Sequence, residues 1–264
     1  MPSLVGSEMC IRDRRCAIKE HYARESQPRL TTSPTMSQQD SRLGGHILVD
    51  QLVAQGVKHV FCVPGESYLA VLDGLHDADI KVTVCRQEGG AAMMADAHGK
   101  LTGEPGICMV TRGPGASNAL AGVHIAKQDS TPMILFVGQI ERGMREREAF
   151  QEMDYRAVFG TQAKWVTEID QVERIPELIS RAFHVATSGR PGPVVIALPE
   201  DMLVEAAKVA DAPRYEVIDA APTAGQLADL QQLLAQARNP VAILGGTRWD
   251  ARAVCLLYTS DAAD

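Results

Sequence analysis

Short apolar runs alternate with helical stripes along most of the chain, and this alternation constrains the fold more than any other feature. Strand-like runs cover residues 57–63, 80–85, 107–111, 133–137, 163–166 and 194–198. The segments between them carry apolar residues at helical spacing. Near-continuous apolar strands separated by helices are typical of a parallel sheet covered on both faces. The sequence therefore predicts an α/β fold with a doubly wound parallel sheet.

The composition argues against several classes of protein. The formal net charge is −7, which disfavours nucleic acid or an anionic membrane as the main partner. No apolar run reaches the roughly 18–20 residues that a membrane-spanning helix needs. Cys62, Cys85 and Cys108 lie in apolar runs without the spacing of metal ligands. They are predicted to be reduced core thiols of a cytoplasmic protein, and no metal site is predicted.

The two ends of the chain differ from its middle. Residues 3–14 and 255–264 resemble translated sequencing adapters, and their codons are compatible with the two strands of one inverted DNA element. Residues 1–35 are therefore predicted to be a non-native or disordered leader, with Met36 as the native start. A mitochondrial presequence is the alternative for residues 15–35, which the acidic residues there disfavour.

Between these ends, changes in composition predict two domains. Residues 36–200 are predicted to form the α/β domain, and residues 201–223, rich in Ala, Asp and Pro, a linker. Residues 224–254 then read as an amphipathic helix followed by a strand at 241–246. One helix and one strand cannot bury a core of their own. We therefore expect these residues to be the truncated start of a second α/β domain.

A single carboxylate, Glu88, stands between the run 80–85 and a helix that opens with Gly-Gly-Ala-Ala. Open α/β sheets bind their ligands at the carboxyl ends of strands. The small residues are predicted to leave room for a flat molecule to approach the backbone. Glu88 is therefore the candidate acid–base residue. The alternative is a carboxylate that stabilises the N-terminus of a helix.

Two glycine-containing loops follow other predicted strands, and we call residues 64–66 the first glycine loop and residues 113–118 the second glycine loop. The loop Gly-Pro-Gly-Ala-Ser-Asn at 113–118 precedes a helix, so its amides are predicted to face an anion. It lacks the third glycine of a dinucleotide fingerprint. Pro64, Gly65 and Glu66 follow the first strand in the same way, and an ordinary tight turn is the alternative for both loops. The charged run 141–148 is predicted to be a solvated, mobile face.

In their order and spacing, these motifs resemble the N-terminal pyrimidine-binding domain of thiamine-diphosphate-dependent enzymes, most closely the acetolactate synthase group. The resemblance runs from about residue 45 to residue 203. The matching motifs are Val-Pro-Gly-Glu at 63–66, Arg-Gln-Glu-Gly-Gly-Ala-Ala at 86–92, Gly-Pro-Gly-Ala-Ser-Asn at 113–118, Ala-Phe-Gln-Glu at 149–152 and Gly-Arg-Pro-Gly-Pro-Val at 189–194.

The resemblance implies roles for individual residues. Glu88 is implied to be catalytic: its carboxyl group would bond the aminopyrimidine of the cofactor and favour the tautomer that removes the thiazolium C2 proton. Phe150 and Gln151 are implied to orient a second keto-acid substrate, with ordinary surface positions as the alternative. The residues implied to bind the cofactor are Pro64, Gly65, Glu66, Glu88, Gly113, Ser117 and Asn118.

The implied reaction is decarboxylation of a 2-keto acid such as pyruvate and transfer of the two-carbon unit to a second acceptor, as in branched-chain amino acid biosynthesis. Residues 139–154 contain no histidine, whereas pyruvate-decarboxylase-type members carry adjacent histidines in this region, so carboligation is favoured. Glyoxylate carboligase, sulfoacetaldehyde acetyltransferase and a benzoylformate-type decarboxylase stay open as alternatives. So do a non-catalytic nucleotide or coenzyme A-binding module and a structural or regulatory fragment.

The resemblance also implies parts that this sequence lacks. In the family, the diphosphate and Mg²⁺ are held by a Gly-Asp-Gly…Asn motif in a C-terminal domain, and the sequence contains no such motif. The active site there lies between subunits, which implies a homodimer or tetramer. We therefore expect the 264-residue chain to be inactive alone. FAD, bound by some relatives, stays open because its usual domain is truncated.

Overall fold

The structure, a computed structural model, describes residues 41–246, 249 and 251–261. The described residues all belong to one unit, and the predicted leader 1–35 lies outside them. The strands are β1 (Arg42–Leu43), β2 (His59–Cys62), β3 (Lys81–Val84), β4 (Gly106–Val110), β5 (Met133–Gln139), β6 (Trp165–Glu168), β7 (Pro193–Pro199) and β8 (Ala206–Ala207). The helices are α1 (Gly44–Ala54), α2 (Leu69–His76), α3 (Glu88–Thr102), α4 (Pro114–Gln128), α5 (Tyr155–Phe159), α6 (Ile175–Thr187), α7 (Glu200–Leu203), α8 (Ala224–Gln236) and α9 (Ala251–Asp261).

Six strands form one parallel sheet in the order β3-β2-β4-β5-β7-β6. This confirms the predicted α/β fold, and each predicted strand between residues 57 and 198 is present. The chain runs from β2 outward to β3 and from β4 outward to β5 in the opposite direction. The strand order therefore reverses between β2 and β4, and sheets of this kind bind ligands in the crevice at such a reversal.

Two hydrophobic cores cover the two faces of the sheet. One core packs α1, α2 and α6 against it through residues such as Leu48 and Phe183. The other packs α3, α4 and α5 through residues such as Ala92 and Phe159. The helices therefore lie on both faces, as predicted for a doubly wound sheet. β3 is an edge strand: Lys81 and Val84 are exposed, and Val82 and Thr83 are half-buried. The expectation that the run 80–85 is buried was therefore wrong, since only Ile80 is buried.

Small residues bring α3 and α4 into close contact. A Cβ atom on Gly122 of α4 would lie 2.5 Å from the Cβ atom of Ala92 in α3, and one on Gly89 would lie 3.1 Å from the Asn118 carbonyl oxygen. Ala91 and Ala92 are fully buried. The expectation that the whole Gly-Gly-Ala-Ala segment admits a flat molecule was therefore wrong, because these residues pack helix against helix. Only Gly90 faces open space, with Gln87 Oε1 at 3.9 Å from its Cβ position.

Residues 201–215 pack on the α/β domain, although they fall within the predicted linker. β8 pairs antiparallel with β1. We call residues 208–215 the strap. The buried Gln51 amide donates to the Ala212 carbonyl at 3.1 Å and accepts from the Ala212 amide at 2.8 Å. Gln55 binds the Pro213 carbonyl at 2.9 Å and the Tyr215 amide at 2.8 Å in the same way.

Beyond the strap, the structure agrees with the prediction only in part. Residues 216–223 are exposed and form no helix or strand, and α8 follows where an amphipathic helix was predicted. Residues 241–246 are exposed and form no strand, because no other strand of the described region lies beside them. The prediction of a strand there was wrong, and the truncated second domain stays a prediction. No helix among the described residues is long and apolar enough to cross a membrane.

Replacing both Gln51 and Gln55 with alanine is expected to detach the strap. Each substitution leaves buried backbone groups without partners, which costs about 1–3 kcal/mol per group. Urea unfolding of the 264-residue chain measures the loss of stability. Gln128→Ala, at an exposed position of α4, is the matched control with an unchanged midpoint. An unchanged midpoint for the double variant would show that the strap contributes nothing to folding.

Candidate functional site

The predicted site loops meet at the carboxyl edge of the sheet, where the strand order reverses. Gly65 follows β2, and a Cβ atom at this position would lie 2.6 Å from the Cβ atom of Thr111, which follows β4. The Ser67 and Thr111 hydroxyls share a 2.8 Å hydrogen bond. Pro64 and Glu66 are exposed beside them. The first glycine loop therefore packs on Thr111, just before the second glycine loop, and glycine is required at residue 65 for this contact.

Glu88 is the first residue of α3 and lies half-buried opposite the start of α4. Asn118 Nδ2 donates to Glu88 Oε2 at 2.9 Å. A Cβ atom on Gly115 would lie 3.5 Å from Glu88 Oε1, so α4 passes close beneath this second oxygen. Gln87 caps α3 by accepting from the Gly90 amide at 2.8 Å. The Glu88 carboxylate is therefore held through one of its two oxygens. Its position in the first turn of α3 also suits the alternative, in which the carboxylate stabilises the helix N-terminus.

Gly113 is buried at the N-cap of α4 with a φ of +56°. Its amide donates to the Tyr155 hydroxyl at 3.1 Å, and that hydroxyl donates to the Gly138 carbonyl at 3.1 Å. Burial raises the pKa of Tyr155 to about 12, so the phenol keeps its proton. A Cβ atom on Gly113 would lie 2.8 Å from the Cβ atom of Gln151. The second glycine loop therefore packs directly on the loop that carries Gln151.

Three amides of the second glycine loop already have partners within the protein. The Gly113 amide is taken by Tyr155, the Gly115 amide by the Arg112 carbonyl and the Ser117 amide by the Gly113 carbonyl. The Ser117 hydroxyl also donates to the Gly113 carbonyl, at 3.2 Å. The expectation that the loop amides face an anion was wrong for these three, because the Tyr155 hydroxyl binds the first and turn and helix bonds use the other two. Asn118 takes part in the site through its side chain.

Arg112 is a site residue that the sequence patterns did not single out. It is 7% exposed and lies directly before Gly113. Its Nη2 donates to Glu66 Oε1 at 2.9 Å, its Nη1 to Glu200 Oε2 at 2.8 Å and its Nε to the Phe150 carbonyl at 3.2 Å. These partners are distant in sequence, so no local pattern reveals them. The only signal was a charged residue inside an otherwise apolar and glycine-rich turn.

Gln151 packs on Gly113, and Phe150 precedes it in the chain. The Phe150 side chain is 73% exposed, whereas its carbonyl is held by Arg112. Gln151 is half-buried with a φ of +65°, in the left-handed region that is uncommon for residues with a side chain. The structure therefore places both residues at the same edge as Glu88, and their contact with a substrate stays a prediction.

The charged run 141–148 is anchored by ion pairs. Arg142 binds Asp201 at 2.7 Å and also pairs with Glu205, and Arg145 pairs with Glu168. Glu152 accepts from the Glu146 and Ala149 amides at 2.7 and 3.1 Å. All residues of this run except the half-buried Arg142 are exposed, as expected of a solvated face, and the ion pairs tie it to Glu168, Asp201 and Glu205; its mobility stays a prediction.

The cysteines of the α/β domain are free thiols in two environments. Cys62 and Cys108 are buried, and burial raises the pKa of Cys62 to about 11 and that of Cys108 as well. These two are core thiols, as predicted. Cys85 is half-exposed after β3, with its Sγ 3.7 Å from Met94 Sδ. The expectation of a core position was wrong for Cys85, because β3 is the edge strand.

Comparisons with known proteins agree with this geometry. Residues 42–158 match the model of the family described as "Thiamine pyrophosphate enzyme, N-terminal TPP binding domain". The chain is 37% identical over 207 residues to an acetolactate synthase of Bacillus subtilis, covering 76% of this chain and 36% of that protein. It is 36% identical over 204 residues to a catabolic acetolactate synthase of Raoultella terrigena, with the same coverages of 76% and 36%.

A third relative matches a slightly longer part of this chain. The large subunit of acetolactate synthase isozyme 2 of Escherichia coli is 34% identical over 213 residues, covering 80% of this chain and 38% of that subunit. The matched region thus spans a little over a third of the length of these curated relatives.

Proposed function

The chain belongs to the thiamine pyrophosphate (TPP) enzyme family and to its acetolactate-synthase-like members, and from this premise we propose that its carboxyl-edge site binds the pyrimidine half of TPP within a 2-keto-acid carboligase. The observation that carries the proposal is the Glu88 carboxylate, held through Oε2 by Asn118 beside the open backbone at Gly90. The names of the relatives favour acetolactate synthesis over the other keto-acid chemistries and over a nucleotide-binding module.

The donor set fits an aminopyrimidine. Such a ring offers a nitrogen acceptor and an amino donor, and a carboxyl group complements them by accepting or donating a hydrogen bond. In the described part of the chain, Glu88 Oε2 has a hydrogen-bond partner and Oε1 has none. Because Gly90 leaves open space at the same helix end, a flat ring can approach this oxygen. Pro64, Gly65 and Glu66 are proposed to lie along its path.

The bound cofactor supplies the nucleophilic carbon and the electron sink for decarboxylation. Glu88 is proposed to hold a proton at Oε1 and to donate it to the pyrimidine ring nitrogen. Asn118 fixes Oε2 and so determines which oxygen faces the ring. Ser117 is proposed to line the same wall of the site. Phe150 and Gln151 are proposed to orient the second keto acid.

The remaining groups are proposed to bind elsewhere. The described residues hold no group of three or more His, Cys, Asp or Glu side chains that could bind a metal ion. We propose that Mg²⁺ and the diphosphate are bound by protein beyond the described residues, and FAD binding stays open. The free thiols of Cys62 and Cys108 support a proposed cytoplasmic location.

An exposed apolar face beside Glu88 supports the proposed homodimer or tetramer. Met93 and Met94 of α3 are exposed, as is Leu101 near its end. Ala97 of α3 and Ala121 of α4 are exposed on the same helix pair. Contiguous apolar side chains on a soluble domain mark interaction sites. A second copy that covers this face would also exclude water from Glu88, which strengthens its hydrogen bonds.

Met93→Glu is expected to weaken subunit association of the complete gene product by about 100-fold, because it places an unpaired charge in an apolar interface. Sedimentation analysis measures the change. Val53→Glu is the matched control, since Val53 and Met93 are both 46% exposed and Val53 lies on α1, on the opposite face of the sheet. An intact dimer of Met93→Glu would locate the interface elsewhere.

The function itself is tested with the complete gene product, TPP, Mg²⁺ and pyruvate. We expect release of CO₂ and formation of a ketol acid, with none from the 264-residue chain alone. Release of free aldehyde alone would favour a simple decarboxylase. Nucleotide or coenzyme A binding without keto-acid turnover would favour the non-catalytic module. Ketol-acid formation by the 264-residue chain would contradict the proposal that the site is completed outside it.

A further inference from the structure

Arg112 joins three loops of the carboxyl edge that lie far apart in sequence. We propose that Arg112 is a positioning residue: it holds the backbone at Phe150 so that the Phe150 and Gln151 side chains stand beside Gly113 and face the substrate. This inference rests on the proposed function, because it takes the keto acid as the molecule that these two side chains meet.

The bonds of Arg112 span the four central strands of the sheet. Glu66 follows β2, Arg112 follows β4, Phe150 lies in the segment after β5, and Glu200 follows β7. Since the sheet order is β2-β4-β5-β7, one guanidinium ties together loops from adjacent strands. A planar group with donors in several directions suits this arrangement, and the single ammonium of lysine does not.

The segment before β6 needs such an anchor. Three of its non-glycine residues have positive φ angles, namely Glu146 at 60°, Glu148 at 52° and Gln151 at 65°. Each such conformation costs about 1 kcal/mol or more and persists only where surrounding contacts impose it. At the Phe150 end, the bond from Arg112 Nε supplies this contact. Glu152 acts within the segment itself, on Glu146 and Ala149.

The partners of Arg112 argue against a direct role in binding a substrate carboxylate. Its Nε, Nη1 and Nη2 atoms all have protein partners, and the two carboxylates of Glu66 and Glu200 already outweigh its charge. Without the guanidinium, these carboxylates would face each other with no cation between them. Loss of Arg112 is therefore expected to loosen the edge and displace Phe150, while Glu88 keeps its bond to Asn118.

Amide hydrogen exchange on the 264-residue chain tests the anchoring step. In Arg112→Gln, exchange at residues 149–153 is expected to become about tenfold faster, as for a segment that opens locally. Arg112→Lys should show a smaller increase in the exchange rate, because lysine keeps the positive charge. Some increase is still expected, because one ammonium group cannot bind all three partners. Arg174→Gln, which removes an exposed arginine paired with Glu177, is the matched control with unchanged exchange at 149–153.

Kinetics of the complete gene product test the positioning step. In Arg112→Gln, kcat/KM for pyruvate is expected to fall by about 100-fold, the size of effect that a 1 Å misplacement produces, with most of the loss in KM. Millimolar guanidinium ion should restore part of this activity in Arg112→Ala.

The inference would be overturned if Arg112→Gln left amide exchange at residues 149–153 unchanged. It would also be overturned if exchange became faster while the complete gene product with this substitution kept full activity. If Arg112→Gln does not fold, amide exchange at residues 149–153 and kcat/KM for pyruvate are measured on Arg112→Lys instead, and the same outcomes test the inference. The proposed function fails separately, by retained turnover in Glu88→Gln. The exchange data on Arg112 would stand in that case, since they require no activity.

Discussion

Replacing Glu88 with glutamine is expected to lower ketol-acid formation by the complete gene product by about 10²–10⁴-fold, the contribution of a positioned acid–base group. Glutamine keeps an acceptor oxygen for Asn118 Nδ2, whose bond to Glu88 Oε2 measures 2.9 Å. It cannot release or take up a proton at the second atom. Folding should therefore survive while turnover is lost. Steady-state kinetics with pyruvate and thermal unfolding measure the two effects.

Glu104→Gln is the matched control for this substitution. Glu104 is an exposed carboxylate just beyond the other end of α3 and pairs with Arg214 at 3.4 Å. The same chemical change there should leave turnover unchanged. Full activity of Glu88→Gln would contradict the proposed acid–base role and favour the alternative, in which Glu88 stabilises the first turn of α3.

Gly122→Ala is expected to destabilise the chain by about 2–3 kcal/mol, the usual cost of overpacking a close contact. The added Cβ atom would lie 2.5 Å from the Cβ atom of Ala92 and 2.8 Å from its carbonyl carbon. Backbone cannot move aside as a flexible side chain does, so α3 and α4 must separate. That separation would also stretch the bond between Asn118 and Glu88. Urea unfolding of the 264-residue chain measures the effect on stability.

Gly90→Ala in α3 is the control, and it also separates stability from ligand access. The nearest atom to its Cβ position is 3.9 Å away, so alanine should stabilise the helix by about 0.5–1 kcal/mol. If a flat ring approaches this position, the same variant should bind TPP more weakly in the complete gene product. Equal stability of Gly122→Ala and the parent chain would show that α3 and α4 do not depend on their close approach.

Local patterns predicted the elements of the α/β domain well, because each depends on burial that repeats along a short segment. β5 is a clear case: the apolar run predicted at 133–137 is a fully buried strand, Met133–Gln139. β3 was also predicted from an apolar run, although Lys81 and Thr83 interrupt it, and its Val84 is 64% exposed. The exposure of Val84 follows from strand order, which places β3 at the edge of the sheet and β5 inside it.

Contacts between distant residues explain the other differences. Gln51 and Gln55 resemble ordinary polar residues of an amphipathic helix, but they are buried because the strap, about 160 residues later, binds their amides. The amides of residues 113, 115 and 117 were expected to bind an anion, but the Tyr155 hydroxyl binds the first and turn and helix bonds occupy the other two. In both cases the sequence shows that a group can form hydrogen bonds but does not show which partner takes them.

The sequence by itself determined the parallel α/β sheet with two covered faces, and the order of motifs that points to Glu88. These follow from side-chain periodicity and from residue types at fixed spacing, which are local properties. Only the tertiary structure decided that small residues join α3 to α4, that Cys85 and Val84 lie at an edge, and that Arg112 binds three loops. These depend on which strands become neighbours, and the hydrogen-bonding atoms concerned meet only once the chain has folded.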